Sequence, residues 1–112
     1  GVKKALTEDA DDHLYAPVSQ TFFRQAGFTS QIFFAGDFAS SCMRLKDVLV
    51  DIQKDVIVIQ PIAEITNSRR GCKAGIFHYE KTVALDLVPK GRYLIHVRSM
   101  NGNAANILAD VK

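Results

Sequence analysis

Apolar and polar residues alternate in short runs from residue 14 to the end of the chain, and Gly, Pro, Asn and Ser separate the runs. This two-residue period is typical of strands, and almost no segment has the i, i+3, i+4 spacing of a long amphipathic helix. The β-branched content of residues 43–52 favours a strand there too. We predict an all-β fold of seven to eight short strands, the pattern of a β-sandwich. The candidate segments, some of which can join into one bent strand, are 15–24, 31–36, 45–52, 56–60, 62–66, 76–79, 82–87, 92–99 and 105–111.

Residues 1–13 lack this alternation and contain mostly charged and polar side chains. Such a segment buries too little apolar surface to offset the entropy of ordering it. We therefore predict a flexible leader at 1–13 and a single β-sandwich domain at 14–112. A charged arm that docks a partner is the functional alternative for the leader. The sequence begins with Gly1 and not with Met, which is the picture that a removed signal peptide would leave.

Two pairs of adjacent aromatic residues, Phe22-Phe23 and Phe33-Phe34, test the sandwich interpretation. Neighbours on a strand point to opposite faces, so only one member of each pair can enter a single core. The other member is covered by a loop, sits at a bulge, or is exposed as part of a partner or dimer surface. The run 56–59 raises the same question, because four consecutive apolar residues indicate a central strand that is at least partly buried on both faces.

The chain contains two cysteines, Cys42 and Cys72, which are 30 residues apart. Neither belongs to a C-x-x-C pair, and no spacing indicates a zinc site. We favour a single disulfide, which would imply an oxidising compartment. Two unrelated buried thiols in a reducing compartment are the alternative.

The segment 83–97 ends in a Pro-x-Gly turn followed by alternating Tyr93, Ile95 and Val97, and it resembles the corresponding ending of immunoglobulin-like and fibronectin-like antiparallel sandwiches. In that resemblance Pro89 and Gly91 make the turn, and Tyr93 is placed like a tyrosine-corner residue whose hydroxyl bonds to the backbone upstream. More widely, residues 15–99 resemble small exported bacterial proteins with an immunoglobulin-like fold and one Cys pair. The resemblance implies a sandwich fold, a periplasmic or extracellular location and a disulfide that closes a loop or an edge, and it carries over no catalytic residues.

Candidate chemistry is sparse in this sequence. His13, His78 and His96 belong to no metal-binding or catalytic motif, and we expect His96 to face away from Tyr93. The glycines match no phosphate-binding or dinucleotide-binding pattern. We therefore predict no catalytic residues, no metal and no cofactor. The one basic cluster, which could hold an acidic partner or be a solvated loop, consists of Arg69, Arg70 and Lys73.

Composition excludes several function classes. The chain has 112 residues, enough for one domain, and its net charge of +2 indicates no nucleic-acid partner. No stretch reaches the roughly 20 apolar residues of a membrane helix. The hypothesis is a non-enzymatic, exported protein-binding or accessory envelope module. A small secreted enzyme inhibitor and a Cys-dependent hydrolase or redox protein are the alternatives. The predicted partner surface consists of the loop at 67–73 and whichever of Phe22, Phe23, Phe33 and Phe34 is exposed.

Overall fold

The computed structural model describes residues 13–66 and 70–112. The predicted leader therefore lies outside the described residues, apart from His13. The described part contains seven strands and one short 3-10 turn at Met100–Gly102. The strands are β1 (Gln20–Ala26), β2 (Thr29–Ser40), β3 (Met43–Gln53), β4 (Val56–Ile65), β5 (Ala74–Ala84), β6 (Gly91–Arg98) and β7 (Ala104–Val111).

The seven strands form two sheets, one in the order β1-β2-β5 and the other in the order β3-β4-β6-β7. The prediction of an all-β protein with two sheets is confirmed. The antiparallel sandwich that the resemblance implied is not matched at β4 and β6, which run parallel from Val56 opposite Leu94 to Ile59 opposite Val97. In immunoglobulin constant-type domains the third strand neighbours the sixth. Here the β3–β4 hairpin places β4 between them, so two strands of the same direction lie side by side.

The strands β2 to β5 form one long hairpin that is folded over in the middle. The hairpin β3–β4 closes at Lys54 and Asp55, and the pairing continues between β2 and β5 beyond a break. At the break one arm is the two-residue link Ser41-Cys42, and the other arm is the connection at 66–73. Because the two halves of the hairpin belong to different sheets, this break is where the chain changes sheets.

The strand directions give the molecule two different ends. The first, which we call the disulfide end, carries the connections at 41–42, 66–73 and 99–103. The second, which we call the turn end, carries the tight turns at 27–28 and 54–55 and the loop at 85–90.

Strand β4 continues through Pro61, where the sequence predicted two separate strands. The Pro61 carbonyl accepts a hydrogen bond from Ala16 N–H (2.9 Å), so the backbone side that lacks an N–H faces the segment at 14–16. Pairing with β6 ends at Ile59, and this segment takes the place of β6 beside β4. Pro61 therefore lies where β4 exchanges one neighbour for another, a position at which a missing donor removes no ladder bond between strands.

The core lies between the inner faces of the two sheets. The alternation of burial along β4 shows why: Ile57 and Ile59 are fully buried, whereas Val56 and Val58 are half-buried on the outer face. The question raised by the run 56–59 is thus answered by partial exposure of its outward side chains. The main core cluster comprises Ile32, Phe34, Ile57, Ile59, Leu85, Val88, Tyr93, Ile95, Val97, Ala109 and Val111.

A smaller cluster closes the core at the disulfide end and consists of Ala16, Phe38 and Ala63. The backbone approaches itself closely beside it, because a Cβ atom on Gly36 would lie 1.8 Å from the Pro17 carbonyl oxygen. The same oxygen accepts a hydrogen bond from the Tyr79 hydroxyl (2.7 Å). Glycine at position 36 therefore allows the segment before β1 to cross β2 at this point.

Candidate binding surfaces

The outer face of the sheet β1-β2-β5 carries an aromatic pair. Phe22 on β1 lies directly opposite Phe33 on β2, and their rings stack with centroids 6.1 Å apart. Phe22 is 59% exposed, and Phe33 is half-buried. Phe22 is therefore the exposed member of its adjacent pair, whereas Phe33 points outwards but is only partly exposed. We call Phe22 and Phe33 the aromatic pair below.

The other two predicted surface candidates point inwards. Phe34 is fully buried in the main core, and Phe23 packs against that core. The prediction is limited to whichever of the four is exposed, so it does not extend to Phe23 and Phe34, because successive side chains on a strand alternate between faces. The sequence could not choose the inward member, since either register buries one phenylalanine of each pair.

Three titratable side chains lie on the same outer face. His78 Nδ1 is 2.8 Å from Asp37 Oδ1, and His78 Nε2 is 3.0 Å from Glu80 Oε2. The hydrogen bonds to Asp37 and then to Glu80 raise the pKa of His78 above its usual value, although the ring is exposed to solvent. We call these residues the histidine cluster. Sequence reasoning missed it, because Asp37 lies on β2 and becomes a neighbour of His78 only through the pairing with β5.

The histidine cluster joins one imidazole to two carboxylates. Among the described residues, the His78 ring bonds to Asp37 and Glu80 and to no hydroxyl or thiol. Within residues 13–66 and 70–112, no group of three or more His, Cys, Asp or Glu side chains has an arrangement suited to a metal ion. What the cluster offers chemically is a negatively charged, hydrogen-bonded patch whose charge depends on protonation of His78.

His96 has the orientation that the alternation predicts. It lies on the outer face of its sheet, away from the buried Tyr93, Ile95 and Val97. Its Nδ1 is 2.7 Å from Oδ1 of Asn106 on the neighbouring strand. This contact makes it a surface histidine in a cross-strand pair.

The two cysteines are joined at the disulfide end. The bond between Cys42 and Cys72 links the two arms of the folded hairpin at the point where they change sheets, with Cα atoms 5.4 Å apart. Ser41 N–H donates to the Lys73 carbonyl (2.9 Å), and Lys73 N–H donates to the Ser41 hydroxyl (2.8 Å). Neither cysteine is a free thiol in this structure, so the nucleophile that a Cys-dependent enzyme would need is absent while the bond is intact.

The predicted basic cluster is only partly described. Arg69 lies outside the described residues, whereas Arg70 and Lys73 are exposed near the disulfide. They belong to the connection at 66–73, and the aromatic pair belongs to β1 and β2. The structure therefore does not place the basic residues and the aromatic pair on a common strand pair.

The residues of the predicted tyrosine corner lie at the turn end. The Tyr93 hydroxyl donates to the Pro89 carbonyl (2.8 Å), four residues upstream. Gly91 has a φ of 156°. The loop at 85–90 is anchored further by the buried side chains of Leu85 and Val88. This region thus has a structural role in closing the core.

Two apolar side chains at the turn end are nearly fully exposed. Phe28 at the tip of the β1–β2 hairpin is 92% exposed, and Leu87 in the loop at 85–90 is 94% exposed. The glycine before Phe28 is the sequence signal that could have located this tip, because two-residue hairpin turns favour glycine. In the structure Gly27 has a φ of 61° and forms the turn with Phe28.

No protein-family model matches the chain, and searches of the curated proteins and of the solved structures find no match. None of the helical structure in the described residues is long and apolar enough to span a membrane.

Proposed function

We propose that this protein is a non-enzymatic binding module that recognises another protein through the outer face of the sheet β1-β2-β5. The proposal is carried by the exposed, stacked aromatic pair. Phe22 leaves 59% of its surface in water. It points outwards because its neighbour Phe23 points towards the core, and adjacent side chains on a strand face opposite sides. Contiguous exposed aromatic surface is typical of interaction sites, in which large rigid rings supply most of the contact energy.

Acidic side chains on the same sheet face as the aromatic pair indicate which charge a partner should carry. Phe33 and Asp37 lie on the same face of β2, four residues and therefore about 13 Å apart. Asp37 and Glu80 both face this surface and are held by His78. A partner that presents an apolar side chain to the aromatic pair and a lysine or arginine about 13 Å away, at Asp37 and Glu80, fits both features.

Binding experiments with four forms of the protein test this proposal. The wild type, Phe22→Ser, the double variant Asp37→Asn with Glu80→Gln, and the control Phe28→Ser are immobilised and exposed to an extract of the cell envelope. A partner should be retained by the wild type and by the control, and it should not be retained by Phe22→Ser. The charge variant should release the partner at a lower salt concentration than the wild type does. Retention of the same proteins by Phe22→Ser and by the wild type would contradict the proposal.

The proposal includes an immunoglobulin-like relationship and an exported location. Two sheets of three and four strands, the Tyr93 hydroxyl on the Pro89 carbonyl, and the single disulfide support them. The position of β4 between β3 and β6 sets this chain apart from the constant-type strand order.

Alkylation of the protein in intact cells tests the location: both cysteines should resist the reagent until a reductant is added. Rapid labelling without reductant would indicate a reducing compartment.

A further inference from the structure

A cavity at the disulfide end lies apart from the proposed protein-binding face. Its volume is about 470 Å³, and it is formed by the segment at 13–15 and the turn at 98–103. A volume of this size is in the range that small-molecule sites occupy. The cavity opens beside the outer face of β6, whereas the aromatic pair lies on the other sheet.

Arg98 is the charged group of this cavity and has no carboxylate partner in the described structure. Its Nε–H is buried and forms no hydrogen bond with any residue in the described ranges 13–66 and 70–112. The guanidinium carbon lies 5.9 Å from the centre of the Tyr15 ring, which is itself buried. Leaving a buried donor of a charged group without an acceptor is unfavourable, so the site is suited to an acceptor from outside the described chain.

Strand register explains why Arg98 differs from two other arginines. Arg44 lies opposite Glu64 and Arg92 lies opposite Asp110, and each forms an ion pair across its ladder. Arg98 lies opposite Ala104. On its other side the pairing of β6 with β4 ends one residue earlier, at Val97. The fold thus gives this guanidinium no acidic neighbour on either adjacent strand.

Two asparagines line the cavity, together with His13, Leu14 and Met100. Asn101 and Asn103 are exposed on the turn, and Asn101 has a φ of 63°, a conformation that asparagine tolerates. Tyr15 is fixed by a hydrogen bond between its hydroxyl and Gln60 Nε2 (2.9 Å). No Asp or Glu lines the cavity among the described residues, so an anion entering it would meet no opposing carboxylate there.

We propose that this cavity binds a small ligand through a carboxylate or phosphate group, which accepts hydrogen bonds from the Arg98 guanidinium while neutral polar parts of the ligand contact Asn101 and Asn103. The planar guanidinium presents its donors as a fork that matches either oxyanion.

The Nε–H resonance of Arg98 in the ¹⁵N NMR spectrum gives a direct test on the full chain. Glucuronate and inorganic phosphate are titrated separately, with glucose and sodium chloride as neutral and ionic controls. We expect a saturable shift of the Arg98 resonance with at least one of the two oxyanions, and the tighter one identifies the headgroup. Resonances of Arg44 and Arg92 should stay in place. A shift that does not saturate, or that chloride or Arg92 reproduces, would show only ionic screening and overturn the proposal.

Variants separate a fork-shaped contact from simple charge. Arg98→Gln should weaken binding at least about tenfold, since charge-assisted hydrogen bonds are lost. Arg98→Lys keeps the charge and should also bind more weakly, whereas the matched control Arg92→Gln should bind normally.

The carboxylates at positions 11 and 12 precede His13 in the sequence. If the variant Asp11→Asn with Asp12→Asn moves the Arg98 resonance without added ligand, an internal carboxylate fills the cavity and the proposal is wrong.

Discussion

The two ends of the molecule close the core by different means. At the disulfide end a covalent bond and the backbone contacts of Ser41 join the two arms of the folded hairpin. At the turn end the chain crosses between the sheets again at 85–90, and there Leu85, Val88 and the Tyr93 hydroxyl close the core without a covalent link. The comparison shows that one sheet crossing relies on chain connectivity and the other on burial. It also places the most exposed apolar tips, Phe28 and Leu87, at the end without the disulfide.

Loss of the disulfide should have the largest effect on stability. The double variant Cys42→Ala with Cys72→Ala opens a loop of 30-residue separation. Chain-entropy arguments predict a loss of about 3–4 kcal/mol in the free energy of unfolding. Urea unfolding followed by circular dichroism measures it, and a loss below about 1 kcal/mol would show that the backbone contacts alone hold this end.

Gly36→Ala should be the next most damaging change. The added methyl group would lie 1.8 Å from the Pro17 carbonyl oxygen, so backbone must move. We expect a loss of about 2–3 kcal/mol, the usual cost of overpacking. Gly27→Ala is the matched control, because its φ of 61° brings strain but no atom lies within 4 Å of the new Cβ. A smaller loss for Gly36→Ala than for Gly27→Ala would contradict the close crossing.

A pair of tyrosine variants compares the middle of the molecule with the turn end. Tyr79, midway along β5, donates to the Pro17 carbonyl, and Tyr93 donates to the Pro89 carbonyl at the turn end. Replacement of either tyrosine by phenylalanine removes one hydrogen bond and should cost about 1 kcal/mol. Burial raises the pKa of the Tyr79 hydroxyl, as expected for a hydroxyl that stays protonated as a donor. Thermal unfolding should show similar losses, and a neutral Tyr93→Phe would remove the tyrosine corner from the account of the turn end.

The exposed tips should contribute almost nothing to folding. Phe28→Ser and Leu87→Ser remove side chains that are 92% and 94% exposed. Each should change the free energy of unfolding by less than about 0.5 kcal/mol. The same measurement on Leu85→Ala, in the buried part of the loop, should give a loss of about 2–3 kcal/mol. Comparable losses for Leu85→Ala and Leu87→Ser would contradict the burial described for this loop.

The histidine cluster predicts the smallest effect, a pH dependence. The pKa of His78 is raised in the folded protein, so the folded state binds its proton more tightly than the unfolded state does. The resulting stability is fully present below the usual value of 6.5 and decreases as the pH rises through the folded-state pKa. The difference in stability between the wild type and His78→Gln should therefore shrink on going from about pH 6 to about pH 8. A stability difference between the two proteins that grows with pH would contradict a raised pKa of His78 in the folded state.

Local patterns in the sequence predicted much of the fold, and contacts between distant strands account for what they missed. Alternation located most strands, and the gap between the candidate segments 92–99 and 105–111 contains the 3-10 turn at Met100–Gly102. The sequence predicted a strand break at Pro61, but β4 continues through it. The reason is not local: a proline is tolerated there because the segment at 14–16 replaces β6 as the neighbour of β4. The apolar run 56–59 marks the stretch of β4 that pairs with β6, but the run by itself does not specify that the pairing is parallel.

The candidate sites followed the same rule. The sequence identified Phe22 and Phe33 as candidates, but the choice between the members of each pair required the register of β1 and β2. The histidine cluster also depends on which residues face each other across strands, and so does the absence of an acidic residue opposite Arg98 on β7. These are long-range pairings that no short window of the chain contains.

Amide hydrogen exchange before and after reduction of the disulfide tests the difference between the ends most directly. The Ser41 and Lys73 amides bond across the disulfide end, and the Leu94 amide bonds to the Asp55 carbonyl at the turn end. Under native conditions that keep the reduced protein folded, we predict that reduction accelerates exchange at Ser41 and Lys73 far more than at Leu94. Equal acceleration at all three amides, or none at Ser41 and Lys73, would contradict the account.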